Sequence, residues 1–501
     1  MPVLIRGGHV LSRDGATLER ADILIDGDRI AAVGAAVAAP PGTQEIDATG
    51  RLVLPGLINT HTHAHTGLTR GRARNWTLED LLNHGAALNG GRTPEEHYLS
   101  AAILAVEMVK TGCTAAYDLA IYFPAPTEEA FAATVQAYTD VGMRVILAPA
   151  MADVVFYRTV PGLLDLLPDD LRRTVESMQP APTDELLRFA EQAIRRWDGT
   201  AGGRIRVAVA PTIPGQATDD FLIGCGRVAR EHGTGLHTHL AESKVQCVYS
   251  QQRWGTTIVA QLAAMGLLTD GFVGAHAVWL TDEDIRRMAD AGAAVAHNPA
   301  SNLRLGSGIA PIREMLDHGV TVGIGTDGSV CADNQDVFEA MRFASLVSTV
   351  RFPHQQERWL DGETIWHLAT AGGARVLGMG DQIGAVEPGR KADLVLLRTN
   401  AVFQRPLNRA VNTLVYAESG ANVETVLVDG RVILDHGRMA TIDEDRLYAR
   451  VQEAADRQRE RTAKDWALAE ALTPYLAQAC RAAVATPFAV NRYAVPITGH
   501  A

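Results

Sequence analysis

The stretch "GLINTHTH", residues 56–63, is an apolar run ending in histidines at alternate positions, His61 and His63. In a strand, alternate side chains share one face. Both imidazoles then point at the same place, a spacing that suits one divalent ion. Alone the pattern is weak, because it also describes a polar strand end with no chemistry. The text after it, "AHTGLTRG" (64–71), has already turned, so His65 is expected to lie past the strand end.

Seven further short runs, each followed by a helix-like stretch, share this layout: "CTAAYDL" (113–119), "RVILAPAM" (144–151), "RIRVAVAPT" (204–212), "TGLHTHLAE" (234–242), "FVGAHAVWL" (272–280), "AAVAHNPAS" (293–301) and "TVGIGTDGS" (321–329). Eight strand–helix alternations predict an α/β fold, a closed (β/α)8 TIM-like barrel whose chemistry sits at the C-terminal ends of its strands. An open doubly wound sheet would alternate too, but it does not need eight units with polar tips. The first 55 residues instead read as short strands with Asp-Gly and Gly-Gly turns. Similar text returns in "GRKADLVLL" and "VETVLVDGRVIL". The economical reading is a small β-sandwich domain built from both chain ends, 1–55 with 381–440, around a barrel at 56–380. Residues 441–501 are expected to form a helical extension for packing or oligomerisation.

Composition narrows the function classes. Hydrophobic content of 47% and charged content of 21% are those of an ordinary globular protein. The formal charge of −12 and scattered arginines leave no footprint for nucleic acid. No apolar run reaches membrane-spanning length, and "MPVLIRGGHV" lacks the form of a signal peptide. Five well-separated cysteines without a CxxC pair predict reduced thiols and a cytoplasmic location.

The other strand ends strengthen the opening signal. "HTHLAES" offers His237, His239 and Glu242; "GAHAVW" offers His276; "AHNPASN" offers His297; "GTDGS" offers Asp327. One strand histidine is more often a satisfied core residue than a ligand. Histidine or aspartate at the ends of strands one, five, six, seven and eight converges on the barrel axis and makes a strong constellation.

The order HTH, HLAES, AHAVWL, HNPASN, GTDG resembles the metal-dependent amidohydrolase superfamily. Within it the chain is similar to the branch of S-adenosylhomocysteine/methylthioadenosine deaminases, guanine-type deaminases and s-triazine hydrolases (of the atrazine chlorohydrolase and melamine deaminase kind). "PGLINTHTH", "SNLRLGSGIAPIREMLDHGVTVGIGTDG" and "GRKADLVLL" carry the likeness over most of residues 1–440. The resemblance implies His61, His63, His239 and Asp327 as metal ligands. It implies Glu242 as the proton-shuttling acid, His276 as the histidine bonded to the metal's water, and His297 as a substrate contact. His237 is expected to pack behind the ligands. Binuclear relatives use a carboxylated lysine ending strand four; "RIRVAVAPT" has none, and Lys110, Lys244, Lys391 and Lys464 all lie elsewhere. One divalent metal per chain is therefore expected, Zn²⁺ first and Fe²⁺ as the alternative.

A bound divalent ion lowers the pKa of its water to about 7. Asp327 and His276 would take or orient that water's proton, and Glu242 would protonate the ring nitrogen beside the attacked carbon. The expected reaction is deamination of an amino-substituted N-heterocycle of purine, pterin, pyrimidine or triazine type. Release of chloride or alkylamine from a triazine, and hydrolysis of a cyclic amide, are the alternatives; a metal-free scaffold protein is the non-catalytic one. Adenosine-type deaminases commonly carry a tryptophan in the helix after strand one, whereas "TLEDLLNHGAALNGG" has none and Trp76 stands just before it. Asn83 and His84 are expected on that helix's surface, Phe156 and Tyr157 in packing or stacked on a ring, and Cys331 as a buried thiol. The partners expected are a small heterocyclic substrate and further copies of the chain, a homo-oligomer.

Overall fold

The computed structural model describes residues 2–494. Eight strand positions of the middle segment are all parallel, in two sheets. One sheet holds Leu57–Thr62, Cys113–Ile121, Arg144–Met151 and a fourth strand split into Ile205–Val207 and Ala210–Pro211. The other holds Leu236–Leu240, Phe272–His276, Ala294–His297 and Thr321–Ile324. Single parallel bridges, Thr62 to Asp327 and Val209 to Leu236, join the two sheets at both edges. The ring of pairings is thereby closed, and no strand edge is left open.

The closing seam runs through the histidine stretch. The Asp327 N–H donates to the His61 carbonyl at 2.9 Å, while Gly325 donates to that of His297 at 2.8 Å. Gly325 is there because nothing larger fits. A Cβ on it would stand 2.2 Å from Asn298 Oδ1 and 2.9 Å from His61 Cβ. Small residues at the seam let strands one and eight approach closely enough to place His61 beside Asp327.

Both chain ends meet in a nine-stranded sheet. Leu394–Arg398 pairs antiparallel with Arg51–Pro55, from Leu394 opposite Pro55 to Arg398 opposite Arg51. This sheet is pinned to the barrel by Arg144, which starts strand three. Its guanidinium donates to Asp393 at 3.0 and 3.2 Å and to Asp429 at 2.5 Å, all three groups being buried. Removing one partner of a buried ion network leaves uncompensated charge and costs about 3–5 kcal/mol. Arg144→Leu should therefore lower the unfolding free energy read from chemical denaturation by that order, while an exposed arginine such as Arg446 replaced by Leu should not.

The long connections resolve into ordinary barrel helices plus insertions. Pro94–Lys110 and Thr183–Trp197 are the helices that follow strands one and three. The inserted parts are residues 64–93 and 152–182, which carry the short helices Leu78–Asn83, Phe156–Thr159 and Asp169–Ser177. The extension forms Glu444–Arg461 and Ala463–Ala485, and the second of these lies against Leu78–Asn83, Gly85–Asn89 and Lys244–Trp254 of the same chain.

Candidate active site

Three strand tips, those of strands five, six and eight, deliver their side chains through a backbone that breaks the strand. Ala241, His276, Ala277 and Asp327 have φ of 47°, 68°, 49° and 64°. Non-glycine residues in this left-handed region cost of order 1–3 kcal/mol each and cluster at functional sites. The turns at 241, 276 and 327 aim Glu242, His276 and Asp327 inward. All seven residues named above from the resemblance, His61, His63, His239, Glu242, His276, His297 and Asp327, are buried.

The geometry of His63 and His239 fixes which ring nitrogen faces the centre. His63 Nδ1 donates to the Leu119 carbonyl at 2.6 Å, and His239 Nδ1 donates to that of Thr212 at 2.5 Å. Each neutral ring therefore carries its lone pair on Nε2. These two Nε2 atoms face one another at 3.1 Å. Opposed lone pairs repel unless a cation lies between them, and backbone-anchored Nδ1 atoms are the usual support of metal-binding imidazoles. His61 adds two ring nitrogens with no partner, 4.7 Å from the His63 ring and 5.0 Å from the His239 ring by centroid. Asp327 Oδ1 stands 3.2 Å from His63 Nε2 and 3.8 Å from His61 Nε2.

Two overlapping groups, His61/His63/His239 and His61/His276/Asp327, hold ligand atoms within 4.8 Å of one another. The donor set fits a divalent metal. Burial alone would raise the Asp327 carboxyl, but the surrounding imidazoles of His63, His276 and His61 hold it well below the usual range. Burial pushes His239 and His297 down to about 3. Such a cluster stays free of protons on most rings and available to a cation.

Glu242 stands on the other side. Its Oε2 is buried without a partner, 3.6 Å from His276 Nε2. Burial, then the charges of Asp327 and Glu79, raise its pKa well above the ordinary glutamate value. His276 Nδ1 donates to Asn302 Oδ1 at 2.9 Å, which leaves Nε2 as an acceptor 3.7 Å from Asp327 Oδ2.

The remaining histidines separate cleanly. His65 turns away, its Nδ1 accepting from the Ile121 N–H at 3.1 Å. His237 packs edge-on against Tyr117 at 4.4 Å and belongs to neither group of ligand atoms. His297 has both ring nitrogens unpaired and lies beyond those groups, next to His276.

Asn83 and His84 depart from expectation, for they are buried rather than on a helix surface. The C-terminal helix covers them: Asn83 Nδ2 donates to the Ala469 carbonyl at 2.8 Å, and His84 is stacked on Trp76 at 4.3 Å with Trp466 at 4.9 Å. Tyr157 donates to Asn83 Oδ1 at 3.0 Å and is packed, while Phe156 faces a small cleft beside Glu79. Cys331 is buried.

Sequence reasoning passed over Asn302 and Glu79. Asn302 ends the quoted "HNPASN" motif. Glu79 had one readable signal: Asp80 completes the capping box with Thr77, so a buried Glu79 has no duty at the helix start. Its Oε1 accepts from Ser243 Oγ at 2.6 Å. Burial raises its pKa, and no positive side chain is among the groups acting on it.

Residues 52–433 match the model of the amidohydrolase family. The chain belongs to that family. Among its amidohydrolase relatives, the 5′-deoxyadenosine deaminase of Methanobrevibacter smithii is 31% identical, covering 91% of this chain and 98% of the relative. The 5-methylthioadenosine/S-adenosylhomocysteine deaminase of Desulforudis audaxviator is 33% identical, covering 91% and 99%. A crystal structure of the atrazine chlorohydrolase of Arthrobacter aurescens complexed with zinc aligns with a TM-score of 0.82 at 30% identity, covering 90% of this chain and all of that one (100%). A zinc-bound adenosine deaminase from Xanthomonas campestris aligns at 0.80 and 26%, covering 91% and 98%.

Proposed function

We propose that this protein is a metal-dependent aminohydrolase that removes the amino group from an adenine-type N-heterocycle. The reaction is hydrolysis of a carbon–nitrogen bond in a cyclic amidine. The observation that carries the reading is Glu242, a buried carboxyl without a partner, facing His276 across 3.6 Å at the edge of the imidazole cluster. The relatives' own substrates, 5′-deoxyadenosine and methylthioadenosine or S-adenosylhomocysteine, support the purine class over pterins, pyrimidines and triazines.

His61, His63, His239 and Asp327 would hold one divalent ion, Zn²⁺ before Fe²⁺. The zinc in the structural relatives and the opposed Nε2 atoms support this. When bound, the ion supplies a water acidic enough to attack at neutral pH. Glu242, protonated because burial raises its pKa, gives its proton to the ring nitrogen beside the aminated carbon and makes that carbon electrophilic. Asp327 and His276 would accept the proton of the attacking water. Glu242, now a carboxylate, would take up the hydroxyl proton of the adduct and pass it to the departing amine. The amine leaves as ammonia while the carbonyl forms, and the proton held by Asp327 and His276 then restores Glu242. Each such transfer contributes about 10²–10⁴-fold. His297, with both nitrogens unpaired, would hold the ring.

Quantitative metal analysis should find about one Zn²⁺ or Fe²⁺ per chain, since strand four carries no bridging lysine. Two tightly held ions would overturn the single-metal reading. Ammonia and chloride release, followed separately over aminopurines and chlorotriazines, decide the reaction. The likeness to the chlorohydrolase favours triazine dechlorination as the second reading.

Three further readings belong to the same proposal. The end sheet is taken as a small β-sandwich domain, 1–55 with 381–440, because it has its own apolar cluster of Ile5, Ile23, Val53, Leu394 and neighbours. The barrel is then 56–380 and the extension 441–501. A cytoplasmic setting is supported by five free cysteines. A homo-oligomer is supported by an exposed stripe on Val337–Arg351, where Phe343, Leu346 and Val350 are 36%, 48% and 70% accessible; light scattering should give a mass above the 53.7 kDa of one chain.

A further inference from the structure

The helix Ala463–Ala485 lies outside the 52–433 segment that matches the family model, yet it forms one wall of a cavity beside the site. The cavity measures about 620 Å³. Pockets of roughly 300–1,000 Å³ take a whole drug-sized ligand rather than one ring alone. Its polar floor is Glu79, Ser243 and Ser307. Ser243 directly follows Glu242 in the chain, and Ser307 Oγ is buried with no partner. The wall given by the helix is mostly apolar, Leu476, Ala477, Cys480 and Val484 with the cation Arg481 among them, and Tyr493 comes from the segment beyond.

That wall is held firmly. Lys244 Nζ donates to the Val484 carbonyl at 2.6 Å, and the Ile309 N–H donates to that of Arg492 at 2.8 Å. The Arg492 guanidinium donates to the Leu280 carbonyl, and Tyr493 meets Trp279 edge to face at 4.7 Å. Gly308 permits the close approach, since a Cβ there would stand 2.8 Å from the Arg492 carbonyl oxygen.

We propose that this cavity is the subsite for the substrate's substituent, and that the C-terminal helix sets which substituents are accepted. The ligand it fits is a heterocycle whose reacting carbon lies at Glu242 and whose side arm passes Ser243. The arm presents a hydroxyl or amino donor to Glu79 and an apolar tail, several atoms long, to Leu476, Cys480 and Val484. Glu79 is suited to a neutral donor because its carboxyl is buried and already shares one oxygen with Ser243 Oγ. The subsite rests on the aminohydrolase reading of the centre, but its selectivity is measured independently of it.

The test uses the metal-loaded full-length protein and two probes, adenosine and 5′-benzylthioadenosine. Cys480→Trp and Ala477→Trp fill the wall from two positions; melting temperature and metal content establish that each variant is folded and loaded. Occupying a pocket's space changes discrimination by about 10–200-fold per small group. The kcat/KM ratio of 5′-benzylthioadenosine to adenosine should therefore fall at least about 10-fold in each folded variant. Titration calorimetry with the same pair reads the same ratio as Kd. Turnover of both probes with an unchanged ratio in the variants would overturn the subsite and leave the aminohydrolase standing. Probes that bind with the expected ratio and are never deaminated would overturn the aminohydrolase and leave the subsite standing. If neither probe is bound or turned over, both fail.

Discussion

Glu242→Gln should give a folded, metal-loaded protein whose kcat for deamination is lower by at least about 10²-fold, the low end for general acid–base catalysis. The amide is isosteric with the carboxyl, so packing beside His276 is preserved. What is lost is the proton. An amide neither gives a proton to a ring nitrogen nor receives one near neutral pH, and Glu242 is the buried acid that stands 3.6 Å from His276 Nε2. Metal content should stay near that of the wild type, because the opposed Nε2 atoms of His63 and His239 do not depend on Glu242. A chlorinated ring should suffer less than an aminated one, since chloride leaves without a proton. Deamination by this variant at the wild-type rate would sink the proton-shuttle role.

His63→Ala should lose metal and activity together, whereas His65→Ala should keep both. The two residues are two positions apart, and their imidazoles do opposite things. His63 directs Nε2 at His239 Nε2 and Asp327 Oδ1, at 3.1 and 3.2 Å, with Nδ1 tied to a backbone carbonyl. Partners that merely support a metal ligand cost 10–100-fold in affinity when removed, so loss of the ligand itself should cost at least about 10²-fold. His65 spends Nδ1 on the Ile121 N–H. Its loss leaves that donor unsatisfied and should cost about 1–3 kcal/mol of stability, visible in a denaturant curve and absent from metal analysis. Equal metal retention by both variants would remove His63 from the centre.

The reach of one-dimensional reading is uneven, for identifiable reasons. The strand runs were legible because each is short, apolar and closed by a polar tip, and all eight appear within a few residues of where the periodicity puts them. The fourth is broken at 208–209, where Val209 bridges to Leu236 of strand five while Ile205–Val207 and Ala210–Pro211 on either side both pair with strand three; alternation of residue types cannot register such a break. The histidine and acid types at strand tips were legible because a barrel brings strand ends to one face whatever its loops do. Asn83 and His84 were misjudged because burial depends on what lies above them, and that is a helix whose Ala469 stands 386 positions beyond Asn83 in the chain.

The amino-acid sequence by itself determined the alternating α/β architecture, the return of the chain's end to its beginning, and the residue types that meet at the centre. These are local properties: periodicity, turn residues and the direction a strand tip must point. Tertiary structure alone decided the rest. It sets the tautomers of His63 and His239, through carbonyls on neighbouring strands. It raises Glu242 by burial and by the charges of Asp327 and Glu79, and it roofs the cavity with Ala463–Ala485. Protonation and pocket shape depend on distance and dielectric between groups far apart in the chain, and only the folded arrangement supplies those.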